Sequence, residues 1–143
     1  LWWTPSWEAL CDKYAAQGYS ALSPDERLWI NIRGLIDATE NGGLISFFYN
    51  SGADTLPDCL AALDALSASD VKAQVARVTA LFPEGVPATL EGRNEAINSW
   101  DDDNEETDRL LEDVDHNLYE LFENLELTLE RYLRSRGLGT VSV

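Results

Sequence analysis

The sequence contains no methionine, one histidine, two cysteines and only ten lysines and arginines among 143 residues. Each shortage excludes something. With no Met, the initiator lies outside this numbering, and residues upstream of Leu1 are to be expected. A lone histidine, His116, leaves a Ser-His-Asp or Cys-His arrangement one residue to use, and it cannot supply the second Glu-x-x-His motif of a di-metal bundle site. Glu112 and Asp113 precede it by one turn, but a solvated imidazole is the better reading than a metal ligand. Cys11 and Cys59 are too few for a disulfide framework or a zinc site. Set in apolar helical patterns, they read as small core residues in a reducing compartment.

Long apolar runs are also missing. None approaches the roughly 18 residues of a membrane span, and Leu1-Trp2-Trp3-Thr4-Pro5 lacks the basic start of a signal peptide. A soluble, cytoplasmic protein is expected. The scarcity of bases against 26 Asp and Glu gives a formal charge of −16. Nucleic acid is excluded as a direct ligand, because a phosphate backbone is bound by neutralising it with Lys and Arg. Anionic membranes are disfavoured for the same reason.

What remains is ordinary for a globular chain: 45% apolar and 25% charged residues, in a length that suits one domain. Period-two alternation is absent and helix signals recur, so the expected fold is all-α, a single compact domain of about six or seven helices. Thr4-Pro5 opens the first helix, with Trp7, Leu10, Cys11 and Tyr14 at helical spacing up to Gly18. Ser23-Pro24-Asp25-Glu26 is a capping box with proline at N1. Leu28, Trp29, Ile32, Leu35 and Ile36 form a buried stripe that ends at Asn41-Gly42-Gly43. A short aromatic segment follows, 44–49. Further helices carry Leu56, Cys59, Leu60, Leu63 and Leu66, then Val71, Val75, Val78, Leu81 and Phe82 before the Pro83–Pro87 loop. A shorter helix runs from about Leu90 to Trp100, and a long acidic one from about Asn104 to Ser135, continuous or kinked near His116.

The charge is concentrated in one stretch. Between Glu91 and Glu130, fifteen acidic residues face only Arg93 and Arg109, a formal −13 of the −16. On the last helix Leu111, Val114, Leu118, Leu121, Phe122, Leu125, Leu129 and Tyr132 share one side, the predicted core face. Glu105, Asp108, Glu112, Asp115, Glu123, Glu126 and Glu130 form a stripe on the other, broken only around Tyr119. Steps of three and four residues are roughly 4.5 to 6 Å apart. That is similar in size to the phosphate spacing of one DNA strand, roughly 3.4 Å along the axis and longer along the strand itself. A solvated face explains many acidic helices. However, carboxylates unmixed with Lys repel one another by a few tenths of a kcal/mol per pair, a cost that steering of a basic partner would justify. With Asp101, Asp102 and Asp103 just before the helix, this stripe is the candidate partner-binding surface.

Other chemistry is set aside. Asp101, Asp103, Glu105 and Glu112 occupy positions 1, 3, 5 and 12 of an EF-hand loop, but Glu106 stands where the turn demands glycine. Nothing singles out a carboxylate pair for glycoside hydrolysis. Asn41-Gly42-Gly43 lacks the remaining glycines, the lysine and the strand of a phosphate-binding loop. No catalytic residue, metal or cofactor is assigned.

The string Asn41-Gly42-Gly43-Leu44-Ile45-Ser46-Phe47-Phe48-Tyr49-Asn50-Ser51-Gly52-Ala53-Asp54 resembles the signature of the DNA mimic protein 19 family. Ser23–Arg27 upstream, and Ala61-Ala62-Leu63, Leu81-Phe82-Pro83, Arg93, Tyr119 and Tyr132-Leu133 downstream, follow the family's order, so the resemblance spans Leu22 to Leu133. Leu44 departs from it, since an aromatic is usual there. The resemblance implies an all-α single domain without known enzymatic activity. In a characterised branch of the family, an acidic surface imitates DNA and occupies the DNA-binding face of basic proteins.

The signature residues Asn41, Gly42, Gly43, Phe47, Phe48, Tyr49 and Asn50 read first as scaffold: glycines break the helix, the aromatics fill the core and Asn50 caps a turn. A groove around Asn41, Tyr49 and Asn50 is the alternative, and it is also where a hydrolase pocket would lie. The leading reading is a non-enzymatic binder of a basic, DNA-binding protein such as a transcriptional repressor or nucleoid protein. The second is an antitoxin or immunity protein covering a basic toxin such as a nuclease. Trp2, Trp3, Trp7 and Tyr14 are expected to fold back onto their own domain. The alternative is that a symmetric homodimer covers them.

Overall fold

The computed structural model describes residues 4–101 and 103–138. Asp102, Trp2 and Trp3 lie outside the described residues. The chain forms α1 (Thr4–Gln17), α2 (Pro24–Gly42), α3 (Leu44–Tyr49), α4 (Leu56–Ala65), α5 (Ser69–Thr79), α6 (Leu90–Asn98) and α7 (Glu105–Ser135). Two 3₁₀ turns, Tyr19–Ala21 and Ser51–Thr55, link the early helices, and no strand occurs among the described residues.

Local chemistry sets most boundaries. Ser23 Oγ accepts from the Glu26 amide at 3.2 Å while Glu26 Oε1 accepts from the Ser23 amide at 2.8 Å, the reciprocal pair expected before α2. Thr89 Oγ1 caps α6 through Gly92 N–H, and Asn104 Oδ1 caps α7 through Thr107 N–H. α7 is continuous over 31 residues, so there is no break at His116. At about 1.5 Å per residue it is roughly 45 Å long.

α2 is the hub. It packs on α3, α4 and α7, while α5 lies along α7 and α6 rests on α3. Leu28, Trp29, Ile32, Leu35 and Ile36 are all buried, as the periodicity predicts. So are Val114, Leu118, Phe122, Leu125 and Leu129 of α7. Three readings need correction. Leu133 continues the buried row one turn beyond Leu129, whereas Tyr132 is only half-buried and donates its hydroxyl to Asp25 Oδ1 at 2.8 Å. Leu111 and Leu121, at the margins of the stripe, are half-buried. Cys59 is buried, which pushes its thiol up to about 12, but Cys11 is only partly covered.

α1 folds back through Trp7, whose ring lies 5.4 Å from that of Trp29. Tyr14 stays exposed and meets Tyr19 edge-on.

Candidate functional site

The signature segment is mostly a structural joint. Gly43 ends α2 with φ +80°, its amide donating to Thr39 O at 2.8 Å. Leu44, Phe47 and Phe48 of α3 are fully buried, and Phe48 continues into a ring contact with Phe82. Gly52 is needed for close approach, since a Cβ there would lie 2.7 Å from the Phe47 ring. Asn50 Nδ2 donates to Ser46 O at 2.8 Å, closing the end of α3. Tyr49 is not a core residue. It is exposed, with its hydroxyl donating to Asn98 Oδ1 at 2.9 Å. Asn41 and Gly42 are exposed as well, and nothing in the structure explains Asn41.

Arg93 holds this joint from below. It is fully buried, and its guanidinium donates to Phe48 O, Pro87 O, Ala88 O, Asn50 O and the Asp54 carboxylate. One cation therefore satisfies carbonyls from the end of α3 and from the loop before α6. A buried charge survives only when paired and hydrogen-bonded in this way. Arg93 is thus withdrawn from the acidic surface to which its position in the sequence would assign it. Between Glu91 and Glu130, Arg109 is the one arginine left at the surface, and it pairs with Glu105 one turn away.

The acidic stripe divides into parts with different environments. In its first part, Glu105, Asp108 and Glu112 are exposed, together with Asp101 and Asp103 in the preceding turn. Asp101 Oδ1 accepts from the Asp103 amide, a local turn contact. Glu106, Asp108 and Glu112 have no ion pair among the described residues. The first-turn acids, Glu105, Glu106 and Asp108, also face the positive end of the helix dipole, which offsets part of their mutual repulsion.

Asp115 differs. It is half-buried, and Oδ1 accepts from the Leu44 amide at 2.8 Å, so it serves as the N-terminal cap of α3 from a distant helix. Burial raises its pKa, an effect only partly opposed by the Leu44 N–H. Four residues on, Tyr119 donates its hydroxyl to Thr39 O at 3.2 Å. Asp115 and Tyr119 together clamp α7 onto the α2–α3 joint, which is why the stripe breaks there.

A family model described as DMP19-like protein matches residues 20–136. The chain belongs to the DMP19-like protein family. No curated protein and no solved structure shows significant similarity to it. The family match takes in the α2–α3 joint, Arg93 and the whole of the acidic helix of this DMP19-like protein.

In the last part of the stripe, Glu126 Oε1 pairs with Arg33 of α2 at 3.1 Å, and Glu130 with Arg134 at 3.1 Å, while Glu123 has no ion pair among the described residues. These three line a groove instead of a convex face. His116 is exposed and lies 3.4 Å from Glu120. Among the described residues, no group of three or more His, Cys, Asp or Glu could hold a metal ion, and no helix is long and apolar enough to cross a membrane.

Two signals in the sequence pointed to what was missed. Arg93 is one of only two bases in an acid-rich stretch, and the loop whose carbonyls it binds, at Pro87 and Ala88, lies just before it in the sequence. The gap in the stripe at Tyr119 marks the place where α7 touches another element.

Proposed function

We propose that this DMP19-like protein is a non-enzymatic DNA mimic that occupies the basic DNA-binding surface of a cytoplasmic DNA-binding protein, such as a repressor or nucleoid protein. The observation that carries this reading is the row of carboxylates, exposed at Glu105, Asp108 and Glu112, on a continuous helix whose other side is packed into the core. Asp101, Asp103, Glu105, Asp108 and Glu112 form the principal contact, and Glu123, Glu126 and Glu130 extend it, with Asp102 assigned to the same surface by sequence alone. Asp115 contributes mainly through its cap on α3. Regular negative charge at phosphate-like intervals steers and holds a basic surface, and such contacts weaken steeply with salt. The packed interior around Leu44, Phe47 and Phe48 gives no support to a hydrolase pocket in the signature.

The test is competition. The partner is captured from the source cell with the intact protein and placed on its own DNA, and displacement is measured with wild type and with Glu105→Gln/Asp108→Asn/Glu112→Gln. Displacement by wild type and its loss in the neutralised, still helical variant are expected. Equal displacement by both proteins would overturn charge mimicry.

A further inference from the structure

Between α2 and α7, bounded at one end by Trp7 of α1, runs a groove of about 420 Å³. Trp29, Leu129 and Leu133 form its buried floor. Leu127 stands at its edge with 46% of its surface exposed, an apolar side chain in the midst of carboxylates. The rim carries Asp37, Glu123, Glu126 and Glu130. A single guanidinium, that of Arg33, spans the groove, bonded to Asp37 at 2.7 Å and to Glu126 at 3.1 Å. Four carboxylates against Arg33 and the Arg134 that pairs with Glu130 leave a formal charge of −2.

Resting on the reading above, we propose that this groove is the anchor of the partner contact and takes a long basic side chain, arginine foremost, from the DNA-binding protein. Charge complementarity selects the occupant. An apolar side chain would strip water from the rim carboxylates without replacing their hydrogen bonds, and an acidic one would be repelled. A long cation satisfies both surfaces: its methylenes lie along Leu127 and the Trp7 edge, and its head joins Glu123, the rim carboxylate without an ion pair among the described residues. Arginine is favoured over lysine because its planar fork pairs with carboxylates bidentately and stacks on an indole. Arg33 already shows that a guanidinium fits between these two helices. The apolar part of the groove adds a contribution that salt does not screen, so binding here should fall less steeply with ionic strength than a purely ionic contact.

The test uses two short acetylated, amidated peptides in which cationic residues alternate with alanine. One carries arginine, the other a homologue with the same guanidinium on a shorter methylene stem. Binding to the full chain is followed by the indole signals of Trp7 and Trp29, with wild type and with Leu127→Gln, which keeps the charge. The arginine peptide should bind wild type roughly three- to ten-fold more tightly, the scale of a few partly buried methylenes, and Leu127→Gln should erase the difference. Equal binding of both peptides to wild type, or a difference that persists in Leu127→Gln, overturns the groove while leaving charge mimicry intact. Failure of both peptides to bind at low salt overturns the groove and the acidic surface together.

Discussion

Gly43 and Asp115 are fitted to one another: a Cβ on Gly43 would lie 2.5 Å from Asp115 Oδ2, while Asp115 Oδ1 holds the very next amide, Leu44 N–H, at 2.8 Å. The glycine leaves room for the carboxylate, and the carboxylate caps the helix that the glycine begins. A sharp break between α2 and α3 is thereby locked to the middle of the acidic helix.

Gly43→Ala should accordingly destabilise the protein on two counts, the clash with Asp115 and a φ of +80°. A loss of about 2 kcal/mol or more is expected in urea unfolding. Adding Asp115→Ala to Gly43→Ala should relieve the clash without relieving the backbone strain, so the double variant should lose less than the sum of the two single losses.

Asp115 also predicts a pH effect. Its pKa is raised in the folded protein, so the proton is held more tightly there than in the unfolded chain. The associated stability is present below the ordinary aspartate value of about 3.9 and is lost as pH climbs through the raised folded value. Asn keeps an acceptor for Leu44 N–H but does not titrate. The stability of Asp115→Asn relative to wild type should therefore shift in favour of the variant as pH rises from roughly 4, as read by denaturant titrations at a series of pH values. A difference independent of pH would show that Asp115 titrates as an ordinary aspartate.

Removing Arg93 should be the most damaging single change outside the apolar core. Arg93→Met leaves the Phe48 and Asn50 carbonyls without their donor, at a cost of about 2 kcal/mol or more, while the exposed Asp54 carboxylate can turn to water. Lysine restores the charge but cannot span carbonyls from two segments, so Arg93→Lys should recover only part of the loss. Hydrogen exchange should show the earliest opening in 48–54.

Salt should have opposite effects on the protein alone and on its complex. A formal charge of −16 destabilises the compact state through self-repulsion, so the melting temperature should rise between about 0.01 and 0.15 M salt. Partner binding should weaken over the same interval. A melting temperature that falls with salt would mean that ion pairs such as Arg33–Glu126 outweigh the repulsion.

The fold was largely legible because its determinants are local. The Ser23–Glu26 box, the Gly43 stop and the three- and four-residue steps of α7 each depend on neighbours within a turn or two. The exposure of the first part of the acidic stripe was legible in the sequence, but not the partition of the stripe into different environments. Asp115 and Glu112 look alike in sequence, yet one caps a helix 71 residues away and the other stands in solvent. Arg93 looks like a surface cation for the same reason, since its partners are brought to it by tertiary packing. Tyr49 shows the reverse case, an aromatic beside two core phenylalanines that faces outward because three consecutive positions of a helix span about 200° of its circumference.

The length of α7 has a consequence for the entropy of recognition. An acidic tail of equal charge would have to be ordered when it met its partner, and that loss of freedom would be subtracted from its affinity. Here the backbone that carries the carboxylates is fixed when the protein folds, by Val114, Leu118, Phe122, Leu125, Leu129 and Leu133 on its inner side. The proposed basic partner would meet a preorganised ruler of charge, with only the ends of the acidic side chains left to be ordered.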